Sequence, residues 1–293
     1  MSRNIVYRTL PDTKKHYECL ISICIHDSPE LFLYQINKIN KYIPECAIVV
    51  HVNSDTIILN ENELPGNVYI NTQWFNEGNS GHAFLWRGFI SNVIHGYSVC
   101  FFDRVLFMSS SCIVYRKLDW KIYPKDAVCI TEIHEPHNKR PDTIEEAKSS
   151  CVWWYPSASR DTHLVCWLQN KSFNRIQGGQ ISGTMLPESC MSMLIDLSNF
   201  GNSVIYDYPY EEIYPQTIGA LFASINNAPM YSALVQIHWY SGDDAYFCIA
   251  DRVYETAKLN KDVYALCKIH DMNGIAMQKC RDLEMHFSKD ESL

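Results

Sequence analysis

The sequence has no run of about 18 apolar residues that could span a bilayer, and Met1-Ser2-Arg3-Asn4 leads into polar Pro11-Asp12-Thr13-Lys14-Lys15 instead of an apolar signal core. A cytoplasmic protein with no integral membrane segment is expected. Positive charge is also scarce: 25 Lys and Arg against 33 Asp and Glu give a net charge of −8 and a pI near 5.7. That balance has the wrong sign for a nucleic-acid or anionic-membrane binder, so any anionic ligand must be met by a local basic cluster. The 12 cysteines lie scattered from Cys19 to Cys280 with no CxxC pair. This disfavours a disulfide scaffold or a structural zinc site, and predicts buried small hydrophobes in a reducing compartment. No Gly/Ser or Pro-rich linker, repeat or low-complexity tract divides the 293 residues.

The chain is 47% hydrophobic and 20% charged, enough to bury a sizeable core. Tyr17 to His26 is a nearly continuous apolar run, the pattern of a strand covered on both faces. Ser28-Pro29 then offers a helix start, and Phe32, Ile36, Ile39 and Ile43 keep helical spacing up to Pro44. Cys46 to Asn53 is a second apolar strand, completing a βαβ unit. Further strands are expected over 67–72, 103–114 (interrupted by Ser109-Ser110-Ser111) and 127–133. Helices are expected from His82, ending at Gly96 as a C′ residue, over Pro187 to Asn199 and from about Pro215 to Ile225. Gln177-Gly178-Gly179-Gln180 reads as a turn. The economical architecture is a single α/β domain, a mostly parallel central sheet flanked by helices.

No Walker loop, GxGxxG or GxSxG is present, so NTPase, dinucleotide and serine-hydrolase readings lose their anchor. In His134-Glu135-Pro136-His137 the proline breaks the helix a zinc-protease motif requires, and Asp243-Asp244 more often caps a turn than holds an ion. Ligands of open α/β sheets settle beyond the carboxyl ends of strands, where His26-Asp27, His51-Val52-Asn53 and Ser109-Ser110-Ser111 fall. The most informative stretch is Asp207 to Thr217. Here Glu211 and Glu212 precede Pro215, a residue able to open a helix, and are bracketed by tyrosines that limit hydration. A carboxylate there either complements a helix N-terminus or serves as a general base.

The Glu211-Glu212-x-x-x-x-Thr217 pattern resembles the Asp-Glu…Thr segment of the core-2/I-branching N-acetylglucosaminyltransferase and peptide-O-xylosyltransferase family, whose second acid is the catalytic base. Gly178-Gly179-Gln180 resembles that family's Gly-Ser-Gln/Ala acceptor-side segment. His51-Val52-Asn53 and Val105 to Ser111 resemble its paired early strands. Tyr264-Ala265-Leu266-Cys267-Lys268 resembles its late Phe-Ala-x-Lys segment, whose lysine contacts the nucleotide diphosphate. The patches keep their order over roughly 220 residues.

The resemblance implies a GT-A fold, with about 1–125 as the nucleotide-binding part and about 126–293 as the acceptor-binding and C-terminal part. It also implies inverting transfer of a sugar, GlcNAc or xylose, from a nucleotide sugar, preferably UDP-linked, to a glycan hydroxyl. Ser109-Ser110-Ser111 stands where such enzymes commonly carry a metal-holding Asp-x-Asp, so no metal or other cofactor is expected and cationic side chains must receive the leaving diphosphate. The expected roles are Glu212 as base; Lys268, Arg252, His51, Asn53, Ser110 and Ser111 on the donor side; and Glu211, Gln180, Trp153 and Trp154 on the acceptor side. Two alternatives stay open: a metal-dependent hydrolase built on Asp243, Asp244 and the histidines, and a non-catalytic carbohydrate- or partner-binding module on the same fold. Membership among the Golgi-resident, type II membrane enzymes of the family is not expected.

Overall fold

The computed structural model describes residues 5–25, 29–53, 57–73, 82–131, 156–199, 208–236, 251–260, 262–267, 269 and 272–290. The strands are β1 (Ile5–Val6), β2 (Lys15–Ile25), β3 (Cys46–Val52), β4 (Leu59–Asn60), β5 (Val68–Ile70), β6 (Cys100–Ser109), β7 (Ile113–Val114), β8 (Val128–Ile130), β9 (Met185–Pro187), β10 (Met230–Ser232), β11 (Val235–Gln236) and β12 (Ala265–Leu266). The helices are α1 (Pro29–Tyr42), α2 (His82–Val99), α3 (Thr162–Asn170), α4 (Met191–Leu197), α5 (Tyr210–Asn226), α6 (Asp251–Leu259) and α7 (Ile275–Asp290).

Seven strands form the central sheet in the order β10-β8-β9-β6-β2-β3-β5. Both pairings of β9 are antiparallel and the others are parallel, so six strands point one way and β9 alone opposes them. The fold is therefore mixed α/β with a mostly parallel sheet, as the apolar runs predict. Strands from both the 1–125 and the 126–293 parts enter this one sheet. From β2 the chain moves outward to β3 and β5, then returns through α2 to β6 on the other side of β2. The carboxyl ends of β2 and β6 thus flank a topological switch point, where such sheets take ligands.

Side-chain alternation explains the double burial of β2. Cys19, Ile21, Ile23 and Ile25 join a core with Phe32, Ile36 and Ile39 of α1. Leu20 and Cys24 face the opposite core, with Trp86, Phe89 and Val93 of α2 and the buried face of α5. Each fully buried Ile or Phe contributes about 1.5–3 kcal/mol relative to exposure.

Four expectations need correction. Helix α2 runs through Gly96 to Val99. A Cβ at Gly96 would lie 2.6 Å from Leu20 Cδ2, so this glycine lets the helix approach β2 and does not end it. The segment expected to be helical from Pro187 begins with β9 and a short 3-10 turn, and α4 starts only at Met191. Pairing between β6 and β8 buries Met185 and Leu186 completely, which outweighs local helical preference. Helix α5 opens at Tyr210, with Pro215 inside it. Finally, Cys112 and Cys267 form a disulfide across 155 residues of sequence, against the expectation of buried small hydrophobes in a reducing compartment. Of the eight described free cysteines, seven are buried as expected and Cys166 is exposed.

At the far end of the fold, Glu284 of α7 receives hydrogen bonds from Lys38, Lys41 and Tyr42 of α1. Burial would raise its pKa, but these donors and the Lys38 charge outweigh it and hold the carboxyl at about 2, against an ordinary 4.5. A depressed carboxylate stabilises the fold above its unfolded pKa, and the contribution disappears as pH falls through the folded one. Glu284→Gln should therefore lower stability in urea titrations at neutral pH. Its deficit relative to the parent should shrink as pH is lowered from about 5 to about 3.

Candidate functional site

Helix α5 carries Glu211 and Glu212 in its first turn, where the helix dipole favours negative charge. Pro215 has no N–H, so the Glu211 carbonyl loses the donor a regular helix would give it. The helix start rests on three buried tyrosines: Tyr208 stacks on Tyr210 at 4.2 Å between ring centroids, and Tyr214 meets Tyr210 edge-on at 5.0 Å. The Tyr208 hydroxyl donates to Asp161 Oδ2 at 2.5 Å, while Asp161 Oδ1 accepts from the Leu164 N–H as the N-cap of α3. Burial, reinforced by Tyr214 and Asp161, pushes the Tyr208 phenol far above its ordinary pKa; burial does the same at Tyr214. These phenols stay protonated, and Glu211 is buried while Glu212 is partly buried.

The Gly-Gly-Gln segment, expected as a turn, is joined to this helix by three rungs. The Gly179 N–H donates to the Glu212 carbonyl at 2.9 Å. Gln216 Nε2 donates to the Gln180 carbonyl at 2.7 Å. The Gln177 N–H donates to Thr217 Oγ1, which in turn donates to the Gln177 carbonyl, both at 3.0 Å. The segment also lies against the carboxyl end of β8, where the Gln180 N–H donates to Thr131 Oγ1 at 3.0 Å. A Cβ on Gly179 would lie 2.5 Å from Thr131 Cβ and 3.2 Å from Gln216 Cδ, so only glycine permits this approach. With the backbone so occupied, Gln177 Oε1 and Gln180 Nε2 are buried and find no hydrogen-bond partner among the described residues.

The same loop reaches the carboxyl end of β6. The Ser109 N–H donates to Ser182 Oγ at 3.2 Å, and the Gly183 N–H to the Phe107 carbonyl at 2.9 Å. Gly183 has φ 85° and sits against the Val235 backbone, a conformation that favours glycine. Ser110 and Ser111 are buried, and the Ser111 carbonyl accepts from the Ile269 N–H at 3.0 Å. The Cys112–Cys267 disulfide ties the same two segments together. One strand pair further along, His51 Nδ1 is hydrogen-bonded to Asn53 Oδ1, and His51 is packed under Gly88 of α2.

The structure thus places the backbone of Glu212, next to Glu211 in the first turn of α5, against the Gly179-Gln180 segment, which itself lies at the end of β8. It places Ser110 and Ser111 at the end of β6, and His51 and Asn53 at the end of β3. These ends share one edge of the sheet, and residues 180–184 bridge the first two. Lys268, Trp153 and Trp154 lie outside the described residues, as do His26, Asp27, His134, Glu135, His137, Asp243 and Asp244. Arg252 belongs to α6, but its side chain is likewise outside them. Thr131, Ser182 and Gln216 were not identified from sequence. The signal for Gln216 was its position four residues after Glu212, which puts both on one helix face. A cavity of about 70 Å³ lined by Lys41, Tyr42, Tyr115, Arg116 and Glu284 contains none of the expected site residues.

Chemically, the arrangement offers a carboxylate able to accept a proton and amide groups able to orient a hydroxyl. It depends on the close loop–helix approach. Gly179→Ala should cost about 1–3 kcal/mol in chemical denaturation through overpacking. Gly66→Ala, at a position with nothing within 4 Å of the added carbon, should be close to neutral.

The chain matches no protein-family model and no curated protein.

Proposed function

We propose that this chain is an inverting, metal-independent glycosyltransferase that moves a sugar from a nucleotide donor to a glycan hydroxyl. The observation that carries the reading is the pairing of Glu212 with the Gly-Gly-Gln segment. These are two motifs some 30 residues apart whose chemistry is complementary and whose backbones are hydrogen-bonded to each other. Both lie along the same sheet edge as the Ser109-Ser110-Ser111 end of β6. The mostly parallel sheet with one reversed strand accords with a GT-A assignment.

In this reading Glu212 takes the proton of the acceptor hydroxyl as the oxygen attacks the anomeric carbon from the face opposite the nucleotide. The C–O bond to the nucleoside diphosphate breaks in the same step. Gln180 and Glu211 orient the acceptor, with Trp153 and Trp154 proposed to stack on its sugar rings. His51, Asn53, Ser110 and Ser111 belong to the donor side, and Lys268 with Arg252 receives the diphosphate charge. UDP, and GlcNAc or xylose, remain the preferred donor groups through the family resemblance. We keep the cytoplasm as the proposed setting. The seven buried free cysteines accord with a reducing compartment and the Cys112–Cys267 disulfide does not. Among the described residues, no helix is long and apolar enough to cross a membrane.

Donor hydrolysis measured across UDP-, GDP- and CMP-sugars should reveal one preferred nucleotide. Glu212→Gln should lower turnover by about 10²- to 10⁴-fold with the fold intact. Wild-type turnover in a folded Glu212→Gln protein would remove the base assignment. Activity lost to EDTA and restored by Mn²⁺ would remove the metal-free claim.

A further inference from the structure

Gln216 is fully buried on α5, yet its side chain is spent neither on its own helix nor on solvent. A buried primary amide is costly unless its donors and acceptor are met. Here Oε1 accepts from the Thr131 N–H at 3.0 Å, while Nε2 donates to the Gln180 carbonyl at 2.7 Å and to Thr184 Oγ1 at 2.6 Å. Both amide donors are used, on two different residues of the loop. The third contact fixes the end of β8. One side chain therefore holds three backbone segments in register. It stands one helical turn beyond Glu212, whose own carbonyl receives the Gly179 N–H.

We infer that Gln216 is a positioning residue for the transfer step, setting the Gln180 side chain relative to the Glu212 carboxylate. The inference rests on the proposed role of Glu212 as base. Gln180 is held at its N–H by Thr131 and at its carbonyl by Gln216 and Thr184. Its Nε2, buried and without a partner among the described residues, is the group delivered to the acceptor hydroxyl. No side chain of different length or polarity reproduces this clasp. Asn is one methylene shorter, Met supplies no donor, and a carboxylate would turn acceptor oxygens toward the Gln180 carbonyl. Displacing a positioning group by about 1 Å can cost on the order of 10²-fold in rate.

The test compares the parent with Gln216→Met, of similar volume, and with Thr184→Val, which keeps its shape but loses the hydroxyl. UDP-N-acetylglucosamine and UDP-xylose serve as donors, and methyl glycosides of glucose, galactose and N-acetylglucosamine as acceptor probes. The first readout is the ratio of sugar transferred to a methyl glycoside over sugar lost to water. The second is amide hydrogen exchange over residues 177–184 and Thr131, with β2 as internal reference. We expect the ratio to fall about tenfold or more in Gln216→Met, and less in Thr184→Val. Exchange should rise in the loop and stay unchanged in β2. A ratio equal to the parent's overturns the positioning role while leaving the function standing, as does unchanged loop exchange. So does a parallel loss of transfer and hydrolysis that tracks the unfolded fraction, which would mark Gln216 as structural. If the parent itself neither transfers nor hydrolyses these donors or any of the wider set of UDP-, GDP- and CMP-sugars, the enzyme reading fails and this role falls with it.

Discussion

The site depends on one set of contacts, the rungs between the first two turns of α5 and the backbone of residues 177–180. A helix end and a loop each have polar backbone groups that must be satisfied when buried. Here each satisfies the other. Two glycines permit the approach. Gly179 lets the loop settle against Thr131, and Gly219, with Leu186, Ile130 and Val128 about 3.0 Å from where a Cβ would stand, lets α5 lie close on β8 and β9.

The sheet then determines what the helix can reach. Because β6 and β8 point the same way with β9 reversed between them, the chain leading into β9 must run along their shared carboxyl edge. Residues 180–184 are that lead-in. They carry a hydrogen-bonded path from Thr131 and Gln216 to Ser109 and Phe107. The reversed strand is thus the physical reason that one short loop links the end of β8, the start of α5 and the end of β6.

Much of the first third was legible in the sequence. Burial on both faces of β2 and β3 requires long apolar runs, and the spacing of Phe32, Ile36 and Ile39 records the single buried face of α1. The carboxylate pair and the Gly-Gly-Gln segment were legible as chemistry. Their contact was not, because it is made by backbone groups and by Gln216 and Thr131: the spacing of Gln216 from Glu212 puts both on one helix face but does not say what that face meets. Strand β9 was hidden because three residues held between β6 and β8 take their conformation from the sheet, not from their own propensity. Gly96 and Pro215 misled for a related reason. Each is ordinarily a breaker, and each is tolerated inside a helix where tertiary packing decides.

The central claim is a single displacement driven by Glu212 from the side opposite the nucleotide. Proton NMR of the first sugar released from an α-linked UDP-sugar, recorded before mutarotation, tests it most directly. The β-anomer appearing first is the predicted result. Initial release of the α-anomer would contradict the mechanism, because it requires retention of configuration.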